Sequence, residues 1–515
     1  MSQEIELKIL LDDSGVKRLN ASPVIAKIYN TKQTAISLHS IYFDTPDRRL
    51  QQAGIALRVR KEGRRWVQTV KIGSGVIAGL SMPQEAVSSA PGGRMSLDAI
   101  PDPDVREAVR NALGDQTPAP AFETAIRRTL HLLQTPAGGV VELAVDVGEI
   151  RANGRVEPIR EAELELKAGD PADIYAVARA LFDKGPLRLS RRSKAQRGYA
   201  VADGEPAVAP VPAPVMASPV RLRPSQTTES AARDVLRDCL NQIAGNVAAA
   251  ALSDAPEGPH QLRIGLRRLR TAAKVFAKGL GGAALAQIEA RAQALAAAVG
   301  AVRDLDVLGD EVLAPLSELD PGFAPLASAL AERREAVRKA ARARLAHPDT
   351  SALIFDLGAF VEARGWLRPA DFDQTAALAQ PVIRTAAAAL SRRWRKVEEL
   401  GERIDQLEGD ARHELRKALK KLRYTVEFFE SLWPERKVRP WLKALKALQD
   451  DFGALQDVAM AQAALLGPQA IARDDPDAQR AVGMALGRCG ALAEIRWAGT
   501  KDDWRKLSRE SRFWR

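Results

Sequence analysis

The sequence has few cysteines (two in 515 residues), few histidines (five) and an aromatic content of only 5%. Cys239 and Cys489 lie far apart in alanine-rich sequence, with no Cys or His at metal-ligand spacing. This excludes a disulfide framework and a structural zinc, and reads both thiols as small buried hydrophobes. No run approaches the ~20 uninterrupted apolar residues of a membrane helix. Glu4 and Glu6 fall inside the first ten residues, where a secretory leader would be basic and then apolar. The expectation is a cytoplasmic protein with no membrane partner. The formal charge of +11 is spread along the chain: residues 1–200 carry 29 Lys/Arg against 24 Asp/Glu. Net charge therefore names no polyanionic partner, and local clustering has to be read instead.

The length implies more than one domain. Residues 204–225 hold Pro206, Pro210, Pro212, Pro214, Pro219 and Pro224 among small residues, a composition that favours extended backbone, and are read as a semi-rigid linker. Before it, in residues 1–203, short segments alternate charged with apolar residues between Gly/Pro turns: EIELKIL, IALRVR, RWVQTVKI, VVELAVDVGEI and EAELELK. Period two over such a series predicts an antiparallel sheet or barrel. After it, in residues 226–515, long Ala/Leu/Arg/Glu segments with aliphatic residues at threes and fours predict helical bundles. The fold class is thus α+β multidomain, a β barrel with helices followed by an all-α region.

The helical region repeats itself. His260, Arg263, Arg267, Arg268, Arg270 and Phe276 return 153 residues later as His413, Arg416, Lys420, Lys421, Arg423 and Phe429. Leu295, Gly300 and Asp304 return at the same offset as Leu448, Gly453 and Asp457. Two separated motifs sharing one offset indicate a duplicated unit, about 226–365 and 380–515.

The charged strands carry the chemistry of the first region. In EIELKIL a strand places Glu4, Glu6 and Lys8 on one face, and EAELELK does the same with Glu161, Glu163, Glu165 and Lys167. Arg58 and Arg60 share a face, as do Glu142 and Asp146. A solvated face explains one such strand, but not a set that uses Glu, Lys and Arg, rather than Thr and Ser, at polar position after polar position. If the strands close, carboxylates and guanidiniums share a lumen. Clustered carboxylates call for a hard cation such as Mg²⁺ or Mn²⁺, and the basic residues call for phosphoryl oxygens.

The ordered series ExExK (Glu4 to Lys8), YFDTPDRRL, LRVR, TVK, ELAVDVGEI, ELELK and SKAQRGY, over about residues 3–200, resembles the CYTH domain of the triphosphate tunnel metalloenzymes. The resemblance implies an eight-stranded antiparallel tunnel that binds triphosphate compounds with divalent metal and usually hydrolyses them. On this chain it implies Glu4, Glu6, Glu163 and Glu165 as metal ligands, and Lys8, Arg58, Arg60, Lys71, Arg128 and Lys194 as phosphate-binding cations. Glu4, Glu6 and Lys8 would be catalytic, with Lys8 a phosphate clamp rather than a base. Glu85, Glu142, Asp146 and Glu161 are further acidic tunnel candidates. In AIRRTL either Arg127 or Arg128 takes the inward position, because adjacent residues point to opposite faces. Near Glu85 the family often places an arginine beside the acid, where this chain has Met82, Pro83 and Gln84. Arg191, Arg192 and Arg197 read as a solvated run.

In the helical region His260, Arg263, Arg267, Arg270 and Lys274 form a single stripe, matched by His413, Arg416, Lys420 and Arg423. Stacked cations repel, so each stripe asks for a counter-anion, and paired repeats would bring both to one groove or pore. Asp304 and Asp457 are read as salt-bridge partners of these arginines rather than metal ligands, and His260 and His413 either as part of the polyanion-binding lining or as hydrogen-bond donors at a helix start. The duplicated HxxRxxxRRxR signature, with RDLD and the closing RFWR, resembles the CHAD domain, whose implied ligand is inorganic polyphosphate. The second copy has Lys420 and Lys421 where the first has arginines, which keeps charge but loses bidentate geometry.

Together the two resemblances have the order seen in bacterial inorganic triphosphatases. They imply hydrolysis of inorganic triphosphate to diphosphate and phosphate in the first domain and polyphosphate binding by the second, with association with polyphosphate granules. The alternatives weighed are an adenylate cyclase, a thiamine triphosphatase and a non-catalytic polyphosphate-binding protein. Nucleic acid is not an expected partner, because aromatic stacking residues are few.

Overall fold

The architecture comes from a computed structural model, which describes residues 4–28, 34–73, 75–183, 187–467, 470–471, 473 and 475–515. The chain divides into two compact units, one built on residues 1–214 with 247–253 and 346–365, the other on 215–246, 254–345 and 366–515.

The charged, period-two segments of the first unit all form strands. They are β1 (Glu6–Leu10), β2 (Thr34–Asp44), β3 (Ile55–Glu62), β4 (Arg65–Ile72), β5 (Val76–Ile77), β6 (Leu80–Ser81), β7 (Gln84–Ser89), β8 (Ala119–Gln134), β9 (Val140–Ala152) and β10 (Arg155–Ala168). They pair in one antiparallel sheet of order β5-β6-β1-β10-β9-β8-β2-β3-β4-β7. Eight strands have five or more residues, the number the resemblance implies, and β5 and β6 form an additional hairpin of two residues per strand. Among the described residues the ladder is a curled half-barrel rather than a closed ring. β6 pairs with β1 on one side, β7 pairs with β4 on the other, and Met82 and Pro83 carry the chain between them. Pro83 has no N–H to donate to a ladder, which suits it to this seam.

Outside the sheet the helix Pro103–Leu113 buries Val105, Val109 and Leu113 against Leu57 and Val70 of β3 and β4. The helix Lys194–Ala202 packs with Leu38, Tyr42, Phe122, Ile126 and Ile150. A Cβ at Gly198 of this helix would stand 2.0 Å from the Phe122 ring, so only glycine permits that approach. Asp44 ties two of the sequence motifs together. Its carboxylate accepts from the amides of Thr45, Leu50 and Gln51 at 2.7 to 3.0 Å and from the Tyr199 hydroxyl at 2.7 Å.

Residues 205–227 form no helix or strand apart from a single bridge at Thr227. The segment is fastened rather than free. Ala209 O accepts from Arg188 at 3.0 Å in the first unit. In the second, Asn246 bonds both backbone groups of Val215, and Ser431 bonds the Val220 carbonyl and the Leu222 amide.

The second unit carries the duplication as four matched pairs of helices. Thr228–Leu252, Glu257–Val275, Ala283–Val307 and Ala324–Leu345 correspond to Val382–Gly401, Gly409–Phe429, Glu435–Leu466 and Pro476–Arg509. The helix Pro348–Glu362, assigned from sequence to the first repeat, instead groups with the first unit. The Tyr175 ring lies 2.3 Å from where a Gly358 Cβ would be, and Arg179 pairs with Asp356 at 2.7 Å. Trp394, Trp441, Trp504 and Trp514 fill the core of the second repeat, so the closing RFWR motif is a packing element. Both cysteines are buried. Among the described residues no helix is long and apolar enough to cross a membrane.

Candidate functional site

Strand register decides which charges meet in the first unit. Glu6 on β1 stands opposite Glu165 on β10, which stands opposite Glu142 on β9. Two residues along, Lys8 faces Glu163, and beyond that Glu161 faces Asp146, which faces Arg128 on β8. The other wall is cationic, with Arg58 beside Tyr42 and Thr69, and Lys71 opposite Glu85. The sheet curls these walls around a cavity of about 390 Å³. Its lining includes Glu4, Glu6, Lys8, Arg58, Arg60, Lys71, Glu85, Arg128, Glu142, Glu163, Glu165 and Lys194. The remaining acidic candidates, Asp146 and Glu161, lie behind the lining with 0% exposure.

These buried acids form one network. The oxygens of Asp146, Glu161 and Glu163 come within 4.8 Å of one another, a grouping of metal-ligand type. In this state protein cations neutralise it. Lys194 Nζ lies 2.7 Å from Asp146 and 2.8 Å from Glu163 and also contacts Glu161. Arg128 donates twice to Asp146 at 2.7 Å and once to Glu163 at 2.6 Å. Lys8 reaches Glu163 at 2.6 Å and Glu6 at 2.7 Å. Arg128 therefore takes the inward position in AIRRTL, and Arg127 is exposed. Arg197 corrects the expectation of a solvated run. It is 1% exposed and donates to Glu161, because the helix Lys194–Ala202 turns it inward together with Lys194, while Arg191 and Arg192 stay exposed.

The protonation states follow from these contacts. Burial works to lower the proton affinity of Lys8, but Glu163, Glu6 and Glu161 outweigh it and hold the ammonium above its ordinary range. Burial would raise Glu163, and Lys194, Lys8 and Arg128 instead hold it well below the usual carboxylate range. Asp146 is depressed for the same reason, chiefly by Lys194 and Arg128 against burial. Nearer the outer row the balance reverses. Burial raises Glu165, with Glu4 and Glu142 adding to it and only Lys167 opposing. On the cationic wall, burial and then Arg58 press Arg60 down to about 10. Glu165 is thus raised with only Lys167 opposing, and Arg60 is lowered although Glu62 pairs with it.

Sequence reasoning left Lys167 and Tyr42 out of the site. Lys167 lies 2.7 Å from Glu165 and shares its face, which period two marks. Tyr42, whose hydroxyl accepts from Arg58 at 3.5 Å, is hidden in an aromatic-aliphatic strand that reads as core.

In the second unit the two stripes converge on a cavity of about 830 Å³ whose lining includes Arg263, Arg267, Arg270, His413, Arg416 and Lys420. Lys274, Arg392, Arg393, Lys417, Lys421 and Tyr424 add to it. His260 and Arg423 lie outside the lining, and Arg423 is held by Glu427 at 2.9 Å and Gln449 at 3.0 Å. Arg263 pairs with Asp304 at 2.6 Å. Burial and then Arg416, Arg267, Arg263 and Arg423 push Lys420 down to about 6. Burial and Arg267 press Arg416 down to about 10.

A half-barrel with facing acidic and basic walls is thus followed by a duplicated helical unit around a basic cavity. Residues 2–199 are a CYTH domain and residues 234–466 a CHAD domain. Among curated proteins the chain is similar to an inorganic triphosphatase of Haemophilus influenzae, 30% identical over 209 residues. That match takes in 39% of this chain and spans about half, 55%, of the relative. Among solved structures the CHAD domain from the plant Ricinus communis is 27% identical over 58% of this chain and 98% of its own, with a TM-score of 0.51. A Hippeastrum protein described as a putative adenylyl cyclase with a dominant triphosphatase activity is 18% identical over 39% of this chain and 96% of its own, at a TM-score of 0.29.

The network sets the acid stability of the first unit. Carboxylates depressed by folding contribute stability that is present above their unfolded value, near pH 4, and lost as pH falls through the folded values. Unfolding free energy measured by urea titration is expected to be level at neutral pH and to drop steeply below about pH 4. Asp146→Asn should cost about 3–5 kcal/mol at pH 7, since it removes a buried carboxylate shared by Arg128 and Lys194 and leaves their charge to Glu161 and Glu163 alone, and should make the acid limb shallower. A variant within about 0.5 kcal/mol of the parent would refute this account of the network.

Proposed function

We propose that the CYTH domain hydrolyses inorganic triphosphate to diphosphate and phosphate with Mg²⁺ or Mn²⁺, and that the CHAD domain binds inorganic polyphosphate. The observation that carries the first part is the two-walled cavity, in which the acid row of Glu4, Glu6, Glu142 and Glu165 shares one lining with Arg58, Arg60 and Lys71. The lining suits a bare phosphate chain better than a nucleotide or thiamine derivative. Tyr42 is its aromatic residue among those described, and the Tyr42 hydroxyl is turned to Arg58 rather than leaving a face for a base to stack on.

The donor set fits a divalent cation. Glu165 is raised chiefly by burial, with Lys167 opposing and Glu4 and Glu142 adding to it, and its carboxylate shares the lining with those of Glu4 and Glu6. Glu4, Glu6 and Glu165 would hold the ion. Glu163 would join them only by giving up one of its bonds to Lys8, Lys194 or Arg128. Bound there, the metal would supply Lewis-acid neutralisation of phosphoryl oxygens.

The chain's own residues account for the rest. Arg58, Arg60 and Lys71 take non-bridging oxygens along the cationic wall. Lys8, Arg128 and Lys194 extend that charge to the far end of the cavity. Phosphoryl transfer passes through a loose transition state with charge spread over oxygens, so positioned cations that stay charged are what lowers the barrier. Lys8, held protonated by Glu163, Glu6 and Glu161 against burial, acts as a clamp and not as a base. Water attacks the terminal phosphorus, the bridging P–O bond breaks with diphosphate leaving, and the water's proton passes to a lining carboxylate outside the ion's ligand set, such as Glu142.

Purified protein with tripolyphosphate and Mg²⁺ or Mn²⁺ should release phosphate, and EDTA should abolish the release. Arg58→Ala or Lys71→Ala should lower kcat about 10²–10³-fold, the loss seen when one charge-stabilising donor is removed. No release with either metal, cyclic AMP formed from ATP, or faster turnover of thiamine triphosphate would each overturn the assignment in favour of another reading.

For the CHAD domain, the support is a cavity whose basic side chains depress one another. An anion entering it favours the charged form of Lys420, so binding takes up protons. Because free Lys420 sits at about 6, polyphosphate affinity should fall as pH rises from 6 to 8. Calorimetry in buffers of different ionisation heat should register the uptake, and Lys420→Arg should flatten the pH dependence. A pH-independent affinity in the parent would contradict the role given to Lys420.

A further inference from the structure

We infer that the chain forms a two-fold symmetric homodimer through the exposed face of the helix Pro476–Arg509, paired antiparallel with the same helix of a second copy about Ala491. The helix buries Ala478, Val482, Ala485, Cys489, Ala493, Trp497 and Trp504 inside its own unit. Its opposite face sets aliphatic side chains among charged ones, with Met484 45% and Ile495 70% exposed on it and Leu492 48% exposed at its edge. Exposed aliphatic side chains rimmed by charges, on a helix already packed on its other side, suit an association surface.

The glycines point the same way. Each mid-helix glycine costs about 1 kcal/mol relative to alanine unless packing requires it. A Cβ built at Gly483, Gly487, Gly490 or Gly499 meets nothing within 4 Å among the described residues, so packing inside the chain gives no reason for them. A second helix lying against this face gives one for Gly487, about 40° from Ala491 around the helix, with the other three at the edges of the face.

The occupant is identified by self-complementarity. A two-fold axis at Ala491 places residue 491+k of one copy against 491−k of the other, as an isologous interface demands. It sets Ile495 against Gly487 and Met484 against Ala498, a large side chain over a small one in both cases. It also sets Arg488 against Glu494, Arg480 against Asp502, and Asp477 against Arg505, opposite charges in all three. All of these residues lie within about 60° of Ala491 around the helix, and all are exposed. Their partners inside the chain are surface pairs of little energetic weight: Arg480 with Asp320 at 3.4 Å, Glu494 with Arg412 at 3.6 Å, and Arg505 with Asp502 at 2.8 Å.

Sedimentation equilibrium of the full chain tests this. The parent should show a monomer–dimer equilibrium. Arg488→Glu and Glu494→Arg should each weaken it on the order of tenfold, because symmetry counts each substitution twice. The double swap, which restores opposite charges across the axis, should recover the parent value. Ala491→Cys should give a disulfide-linked dimer, since facing Cα atoms on a close two-fold helix contact stand about 4–6 Å apart. Met484→Cys should not, its copies being displaced by about 21 Å along the helix. A parent that stays monomeric, single swaps that leave a dimer unchanged, or equal crosslinking of both cysteine variants would overturn the inference.

Discussion

Asp146, Glu161 and Glu163 share a buried space only because Lys8, Arg128, Lys194 and Arg197 are brought to them. Three carboxylates this close cannot all stay ionised without cations between them. The partners come from β1, β8 and the helix Lys194–Ala202, so satisfying the acids fixes how the sheet curls and where the helix docks. Gly198 and the Asp44 to Tyr199 bond serve the same end, seating that helix against Phe122 with its lysine and arginine turned inward. Breaking such a network strands charges, whereas an apolar replacement of the whole set would not. Its worth therefore lies in geometry more than in net stability.

The network also divides the acids by use. Those at the inner end are neutralised by the chain itself. The outer row of Glu4, Glu6, Glu142 and Glu165 has fewer cations than it needs, although Lys71, Lys8 and Lys167 reach parts of it. The second unit has little such balance, Glu289 beside Lys274 being the one carboxylate among its described lining residues. Its arginines and lysines press one another's proton affinities down, and Lys420 and Arg416 record the strain most clearly. A cavity with both signs of charge in facing walls can orient a metal-bearing phosphate chain for reaction, while one lined mainly by cations attracts polyanions with little further demand.

Much of this was legible in the sequence because charge at every second position, on strand after strand, is costly unless those side chains share a polar lumen. The residues of ExExK, LRVR and ELELK meet as period two predicts, and the 153-residue offset marks the paired stripes that line the second cavity. What escaped depends on relations that periodicity does not carry. Whether Arg127 or Arg128 points inward was set by pairing with β9. The burial of Arg197 followed from the docking of its helix, although its basic neighbours make the segment look solvated. The helix Pro348–Glu362 reads as part of a repeat, yet it packs through Gly358 on Tyr175. Arg392 and Arg393 join the basic cavity from a helix whose signature the repeat comparison does not include.

The most direct test of the two-walled site is anomalous diffraction from crystals of the protein grown with Mn²⁺ and a slowly hydrolysed imido analogue of triphosphate. The account predicts a manganese peak at Glu4, Glu6 and Glu165, with the phosphate chain lying along Arg58, Arg60 and Lys71. Manganese seated instead among Asp146, Glu161 and Glu163 with Lys194 displaced, or an analogue bound outside the cavity, would contradict it.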